Sequence, residues 1–416
     1  MKIGIIGAGA SGMMAAVTAA KEQAEVTLLE KNDRVGKKIL VTGNGKCNLG
    51  NLDFGTDKYY CDDIDRLEKI FSGFCVKDTV SFFEENGLLL RNKNGYLYPY
   101  SEQASTVLDL FRKMLQKSNV KIITECKITD VTFDRKKHIF SIRADKGCYE
   151  FDRLIIACGG PASQKKGEGT FGFLSAEKFG HSIKQPVPGL VQLCSTDGFI
   201  KGMAGVRTQA ELNLFADHSF ISKQQGELQI TDYGISGIPV FQFSRQAAYA
   251  LKAGKKVCVE INFFPDYEEE RFWNVMLTRF ERMKKETLEE FLLGMTNKKI
   301  STALIKHAGW KPDDRIEILG YQRIKEFLKK FRKLPVHIHA AKGMENAQIC
   351  AGGVPLNEVD DNLQSIKVPG LYFSGELLDV DGICGGYNLQ WAWTSGYVAG
   401  RSAAGYDHMK RKSDSE

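Results

Sequence analysis

The chain opens on an apolar run, Ile3, Ile5 and Ile6, and breaks at once into Gly7-Ala8-Gly9-Ala10-Ser11-Gly12. Met13, Met14, Ala15, Ala16 and Val17 follow, small or apolar and free of helix breakers. The pattern predicts a buried strand, a tight turn and a packed helix. A second stretch free of breakers, Val26-Thr27-Leu28-Leu29, predicts a strand that runs into Glu30. Further on, Ile64, Leu67, Ile70 and Phe71, then Val80, Phe82 and Phe83, recur at helical spacing, predicting helix over 62–86 with Gly87 as its stop. Tyr96 to Tyr100 reads as an aromatic loop, with Ser101 capping a helix over 104–115. Short strands are predicted at 121–124, 128–133, 139–143 and 149–151 as a meander feeding a buried strand at 154–157.

Pro186, Pro188 and Gly189 mark a linker, after which the pattern changes. Strand-like pieces at 190–193, 210–215 and 227–230 lead into a loop at 231–239 and a helix over 240–251. A strand at 256–263 precedes charged amphipathic helices, among them 268–280 and 314–330. From about Ala340 short strands and glycine turns return at 348–354 and 370–376, and a helix with small residues is expected from Leu389 to about Ala403. The expected division is therefore 1–189 with 340–416 as one discontinuous domain, 190–265 as an inserted β-rich domain and 266–339 as a helical subdomain.

Residues 7–12 spell G-x-G-x-x-G between a strand and a helix, the context that the dinucleotide fingerprint requires. Gly7 permits the tight turn, Gly9 lets the backbone approach a pyrophosphate, and Gly12 lets helix and strand pack closely. The helix N-terminus then offers free N–H groups and partial positive charge to phosphates. Glu30 stands roughly 20 residues on, where a carboxylate accepts hydrogen bonds from a ribose diol and disfavours a 2′-phosphate. The loop from Lys31 to Asn48 holds Gly36, Gly43 and Gly45 and can lay N–H groups and Lys37 or Lys38 along a diphosphate or a ring edge. Cys47 in that loop could stand near a bound nucleotide, but a lone Cys is more often a small buried apolar residue. The strand at 154–157 closes on Cys158-Gly159-Gly160-Pro161, which suits close backbone approach to a nucleotide. Glycines 382, 385 and 386 meet the last helix and again set backbone N–H groups at a helix start. Glu376, Asp379 and Asp381 fit no EF-hand spacing, and His307, His337 and His339 lack ligand partners, so no metal is expected.

Composition adds few exclusions. The 416 residues exceed one domain, and 43% hydrophobic with 26% charged residues is ordinary for a globular protein. The net charge of +6 is spread through mixed-sign segments such as 281–290 and 317–333, which argues against a nucleic-acid stripe. A basic run at 410–412, next to Asp414 and Glu416, reads as a solvated tail. Ten cysteines without a C-x-x-C point to a reducing compartment. A nucleotide-binding strand beginning at Lys2 leaves no room for a leader, and no apolar run approaches the ~20 residues of a membrane span. A cytoplasmic protein is expected.

Taken together, these segments resemble a family of bacterial FAD-dependent flavoproteins that includes BaiN-type reductases and aminoacetone oxidase-like proteins. The carriers are residues 7–12 with Glu30, the stretch 36–48, residues 157–160 and 231–239, and above all 375–390. The resemblance implies non-covalent FAD in a two-segment Rossmann-type domain of an α/β protein, with an inserted β region and a helical subdomain. Carried over by position, Gly7, Ala8, Gly9, Ala10, Ser11 and Gly12 would hold the pyrophosphate, and Glu30, followed by Lys31, the ribose. Lys38, Gly43, Asn44, Cys47 and Asn48 would line the flavin side. Gly159, Gly160, Gly375, Glu376, Gly386, Tyr387, Asn388 and Leu389 would close around nucleotide and ring. The chain departs from the family's common pattern at Lys46, often Arg, and at Tyr96-Leu97-Tyr98-Pro99, often Gly-Arg-x-Phe-Pro.

The implied function is a flavin oxidoreductase acting on a small molecule. In the reductive form NADH or NADPH donates hydride and an activated C=C receives it, with a tyrosine or water supplying the proton; with one fingerprint, the nicotinamide would visit only transiently. In the oxidative form a small amine or amino acid donates hydride and O2 reoxidises the flavin. Family grounds favour the reductase. A flavin-dependent RNA modifier would need a contiguous basic face with stacking aromatics, against which the mixed charges of 267–333 argue; a non-catalytic FAD-binding protein is the remaining class. No residue is assigned as the acid or base: Tyr98, in the aromatic loop, and Tyr387, next to Asn388, read as packing residues ahead of a catalytic role. Substrate specificity is expected in the inserted region.

Overall fold

The computed structural model describes residues 1–165 and 167–405; the basic run at 410–412 lies outside them. By internal contacts the chain forms two compact units, Met1–Pro186 with the segment from Ile349 onward, and Val187–Gln348.

The first unit is built on a five-stranded parallel sheet in the order Leu371–Phe373, Arg153–Ile156, Lys2–Ile6, Glu25–Leu29 and Lys121–Ile123. Strand β1 (Lys2–Ile6), helix α1 (Ala10–Lys21) and strand β2 (Glu25–Leu29) form the expected crossover unit. Both strands are continuously buried after their first residue, Thr27 included, because the central strands of a parallel sheet are covered on both faces. Helix α1 is buried from Ser11 to Ala19, which is why it carries no polar stripe. The helix Tyr387–Ala403 lies against it at very close range. A Cβ on Gly396 would stand 2.3 Å from the Ser11 carbonyl oxygen, and one on Gly400 2.5 Å from that of Ala15. Since β1 leads to neighbours on either side, the crevice outside the strands' carboxyl ends is where such sheets bind ligands.

The second unit holds a closed antiparallel barrel of Leu193–Ser195, Gly234–Ser236, Ser219–Ile230, Arg207–Ala216, Val257–Asn262 and Leu334–Ala341. Alternate residues such as Ala210, Leu212 and Leu214 point into a core shared with the helices Glu269–Arg282, Lys298–His307 and Tyr321–Arg332.

Several local expectations are corrected. The helix expected over 62–86 is two, Ile64–Gly73 and Val76–Glu85, because Phe74 is extended and Cys75 starts a new capped turn with Asp78. Residues 121–124 do not join the meander: Lys121–Ile123 is the edge strand of the parallel sheet, leaving Ile128–Asp134, Ile139–Ala144 and Gly147–Phe151 as the antiparallel three. The aromatic loop is a strand, Tyr96–Pro99, paired with Leu90–Lys93 and Gly50–Asn51. The helix that follows, Ala104–Lys117, is capped at Gln103, while Ser101 bonds Thr106. Pro186 and Pro188 sit in a strand, Lys184–Gly189, of a two-stranded sheet, where an edge proline costs no ladder bond. The loop at 231–239 contains a barrel strand and the start of helix Ile238–Lys252, with Pro239 in its first turn. Gly320, at φ +77°, splits 314–330 into Ile316–Leu319 and Tyr321–Arg332. The last helix begins at Tyr387 instead of Leu389.

Candidate functional site

The carboxyl ends of four parallel strands place Gly7, Glu30, Cys158 with Gly159, and Ser374 with Gly375 on one edge of the sheet. The three fingerprint glycines then differ sharply in their surroundings. Gly7, at φ +99°, would put a Cβ 2.6 Å from the Cys158 Cα, and Gly12 would put one 1.9 Å from the Gly7 oxygen. Both are needed for close packing. A Cβ on Gly9 would meet nothing within 4 Å. Gly9 is the N-cap of α1 and no side chain caps it, so the first-turn amides at Ala10, Ser11 and Gly12 face open space. That cradle fits a pyrophosphate by shape and charge.

Glu30 is 7% exposed and ties this turn together. Its Oε2 accepts from the Ala8 N–H at 2.8 Å, and its Oε1 from the Asn32 N–H at 2.9 Å. The Gly36 N–H donates to the Ala8 oxygen at 2.8 Å, drawing the following loop onto the turn. Lys31 Nζ reaches Gln164 at 2.6 Å and Glu168 at 3.2 Å.

Beside them, Lys38 Nζ lies 2.8 Å from Glu376 Oε2, while Glu376 Oε1 accepts from the Cys350 N–H at 2.5 Å. A Cβ on Gly159 would face Glu376 Oε2 at 3.6 Å, and one on Gly160 would press on Cys350 at 2.9 Å. Gly375, at φ +70°, donates its N–H to Ser395 and backs onto the Ser11 hydroxyl, joining this edge to α1.

A second group forms where the loop 43–48 meets the last helix. Gly43, Asn44 and Cys47 all take positive φ, which coils the loop tightly. Cys47 is fully buried, and burial pushes its thiol up to about 12. Burial likewise pushes Cys158 and Cys384 up to about 12, which favours the neutral thiol in all three. The Oδ1 of Asn48 is buried without a hydrogen-bond partner, 2.7 Å from where a Cβ on Gly386 would sit. Gly386, at φ +96°, is the N-cap of Tyr387–Ala403. An unsatisfied buried acceptor beside uncapped amides matches a ligand with both donors and acceptors, such as the pyrimidine edge of a flavin.

The side chains of this turn are otherwise committed. Asn388 donates to the Gly382 oxygen at 2.7 Å and accepts from its N–H at 2.9 Å. Tyr387 donates to the Asp53 oxygen at 2.8 Å, and burial raises its pKa. What Tyr387, Asn388 and Leu389 present is backbone N–H. Gly396 touches α1 nine residues further along, so the two helix starts lie about 14 Å apart at 1.5 Å per residue.

Two supporting networks were not foreseen from sequence. His181 Nδ1 pairs with Glu358 at 2.8 Å and its Nε2 with Ser365 at 2.7 Å, its ring edge-on to Phe373 of the sheet. Lys184 joins buried Asp379 at 3.0 Å to Asp62 at 2.8 Å. Residues so far apart in the chain leave no local signature. Of the histidines singled out by sequence, His337 pairs with Asp197 at 3.2 Å and is well exposed.

A parallel sheet with this glycine turn and acid at its carboxyl edge defines a dinucleotide-binding protein of the Rossmann class. The chain belongs to the HI0933-like family: the family described as HI0933-like protein Rossmann domain matches residues 1–402. It is 40% identical over 406 residues to a 3-dehydro-bile acid delta(4,6)-reductase of Clostridium scindens, covering 97% of this chain and 99% of that one. It is 28% identical over 404 residues to a ribosomal RNA dihydrouridine synthase of Haemophilus influenzae, covering 96% and 97%. A 3-ketosteroid delta1-dehydrogenase from Sterolibacterium denitrificans shares the fold, at TM-score 0.51 and 11% identity over 97% of this chain and 99% of that one. Family, fold and site together make the protein an FAD-dependent oxidoreductase. Among the described residues no helix is long and apolar enough to cross a membrane.

Proposed function

We propose that the protein reduces an activated C=C of a small organic substrate, with NADH or NADPH as electron donor and FAD held in the first unit. The observation that carries the reading is the 40% identity to a delta(4,6)-reductase along nearly the whole of both chains. FAD supplies hydride transfer through its N5 atom. The open cradle over Gly9 would take the pyrophosphate, Glu30 the ribose, and the amides of Tyr387, Asn388 and Leu389 with Asn48 the pyrimidine edge. Lys38 and Glu376, facing Gly159, would close the cleft between the two ends. Donors fixed at that pyrimidine edge favour negative charge there without reorganising, which eases reduction.

The dihydrouridine synthase relative supports a second reading on a different substrate. Dihydrouridine is uridine with its ring C=C reduced, so the chemistry is the same and only the molecule presented to the flavin differs. The two are separated by incubating the purified protein with NADH or NADPH and either a steroid dienone or unmodified ribosomal RNA. The first reading expects a dienone product heavier by two hydrogens and unchanged RNA; conversion of uridine alone would overturn it.

A further inference from the structure

Outside the cofactor contacts, the most distinctive cluster of charge lies where Lys46, Arg91 and Lys93 converge on Glu102. Lys46 Nζ is 2.8 Å from one carboxylate oxygen, Arg91 is 2.7 Å from the other, and Lys93 shares that second oxygen. Three cations thus face one carboxylate, and most of their N–H donors remain for other acceptors. Arg91 lies over the Tyr100 ring at 4.3 Å and Lys93 over that of Tyr98 at 5.9 Å, so aromatic faces hold the cations in place. The cations are 36–50% exposed, whereas Glu102 is the most shielded member at 22%.

Glu102 is held at φ +53°, a left-handed backbone that a β-carbon disfavours, by a turn in which its N–H bonds the Pro99 oxygen at 2.9 Å. Exposed ion pairs contribute little to stability, so stability alone does not explain keeping a strained residue there. The location suggests another use. Lys46 stands two residues before Asn48, and Tyr96, in the strand that pairs with Leu90–Lys93, packs on the glycine turn that opens the last helix, 3.3 Å from where a Cβ on Gly385 would be. The cluster therefore borders the flavin end of the site.

We propose that Lys46, Arg91 and Lys93 form a subsite for an oxyanion on the ligand that meets the flavin, with Glu102 as an internal counter-ion that the oxyanion displaces or shares. The oxyanion is either a carboxylate of the substrate or the 2′-phosphate of NADPH. The proposal rests on the FAD reading for its location at the active site, and gives the substrate pocket a charge preference: an enone with a terminal carboxylate over its neutral ester. Rings of Tyr96, Tyr98 and Tyr100 supply flat apolar surface beside the charge.

The test is calorimetric titration of the full-length FAD-loaded protein, after its FAD content has been measured by absorbance. The probes are a steroid enone carboxylate, its methyl ester, NADH and NADPH. Losing two charge-assisted bonds in the Lys46→Gln/Lys93→Gln variant should weaken the acid about tenfold or more and leave the ester within about twofold. Glu102→Gln should act in the opposite direction, tightening the acid several-fold. If the nicotinamide phosphate is the source, the same opposed shifts fall on NADPH relative to NADH and spare the acid. Equal shifts for acid and ester and for both nicotinamides, no shift in either variant, or weaker anion binding in Glu102→Gln would each overturn the proposal. So would tight, salt-sensitive binding of single-stranded RNA that depends on the three cations while neither enone binds. A protein without FAD that still discriminated acid from ester would sink the flavin reading and leave the anion site standing.

Discussion

Replacing Gly9 by alanine separates cofactor binding from folding, because the added Cβ meets nothing within 4 Å and the backbone there, φ −78° and ψ −167°, is open to any residue. The change removes a tolerated N-cap, at a cost of about 0.5–1 kcal/mol, so the FAD-free protein should melt within about 4 °C of the parent. The methyl group would, however, occupy the space through which a pyrophosphate reaches the first turn of α1. Losing or lengthening one charge-assisted N–H bond costs about 2 kcal/mol, or about 30-fold in affinity for FAD. Gly12→Ala is the matched control. Its Cβ would fall 1.9 Å from the Gly7 oxygen, a backbone atom that cannot swing aside, so helix and strand must part. Overpacking of this kind costs about 1–3 kcal/mol or more, and the FAD-free protein should melt well below the Gly9→Ala variant. Fluorescence titration with FAD and thermal melts of FAD-free protein give both numbers. Unchanged FAD affinity in Gly9→Ala would refute the placement of the pyrophosphate.

Glu30→Ala should weaken FAD and also destabilise the FAD-free protein by about 1–3 kcal/mol, since the Ala8 N–H loses its acceptor; a melt unchanged from the parent would show that the turn does not depend on this carboxylate. Acid should weaken the fold through Glu358. Burial pushes its carboxyl up, but hydrogen bonds from Ser182, Lys367 and His181 prevail and hold it at about 2, against an ordinary 4.5. A depressed carboxyl stabilises fully above the unfolded value and loses that contribution as pH falls toward the folded one, here up to about 3 kcal/mol. His181, lowered by burial, works in the same direction as pH drops through its ordinary 6.5. Urea midpoints should therefore fall on acidification below about pH 6, and Glu358→Gln should flatten the lower part of that decline.

What could be read from the sequence was what is local. The strand, turn and helix of residues 2–21 and the acid at Glu30 lie within one crossover unit, so spacing alone located them. The start of the last helix was visible in its glycines, though displaced by two residues because Tyr387 reads as an aromatic contact more readily than as a first turn. Tyr96–Pro99 reads as a loop in the sequence because its partner strands, Leu90–Lys93 and Gly50–Asn51, are short and flanked by Asn and Gly. Barrel closure by Leu193–Ser195 on Leu334–Ala341 spans more than a hundred residues and leaves no periodic trace. The same holds for Lys38 with Glu376, whereas Glu102 stands 9 and 11 residues from Lys93 and Arg91 and 56 from Lys46, and folding brings all three cations onto its carboxylate.

The central claim, a reductase that moves hydride from a nicotinamide through FAD to an activated C=C, is tested most directly by anaerobic absorbance of the purified protein. The account predicts a yellow flavin spectrum that bleaches on adding NADH or NADPH and returns when a steroid dienone is supplied without air. A spectrum that neither nicotinamide bleaches, or a bleached flavin that only air restores, would contradict it.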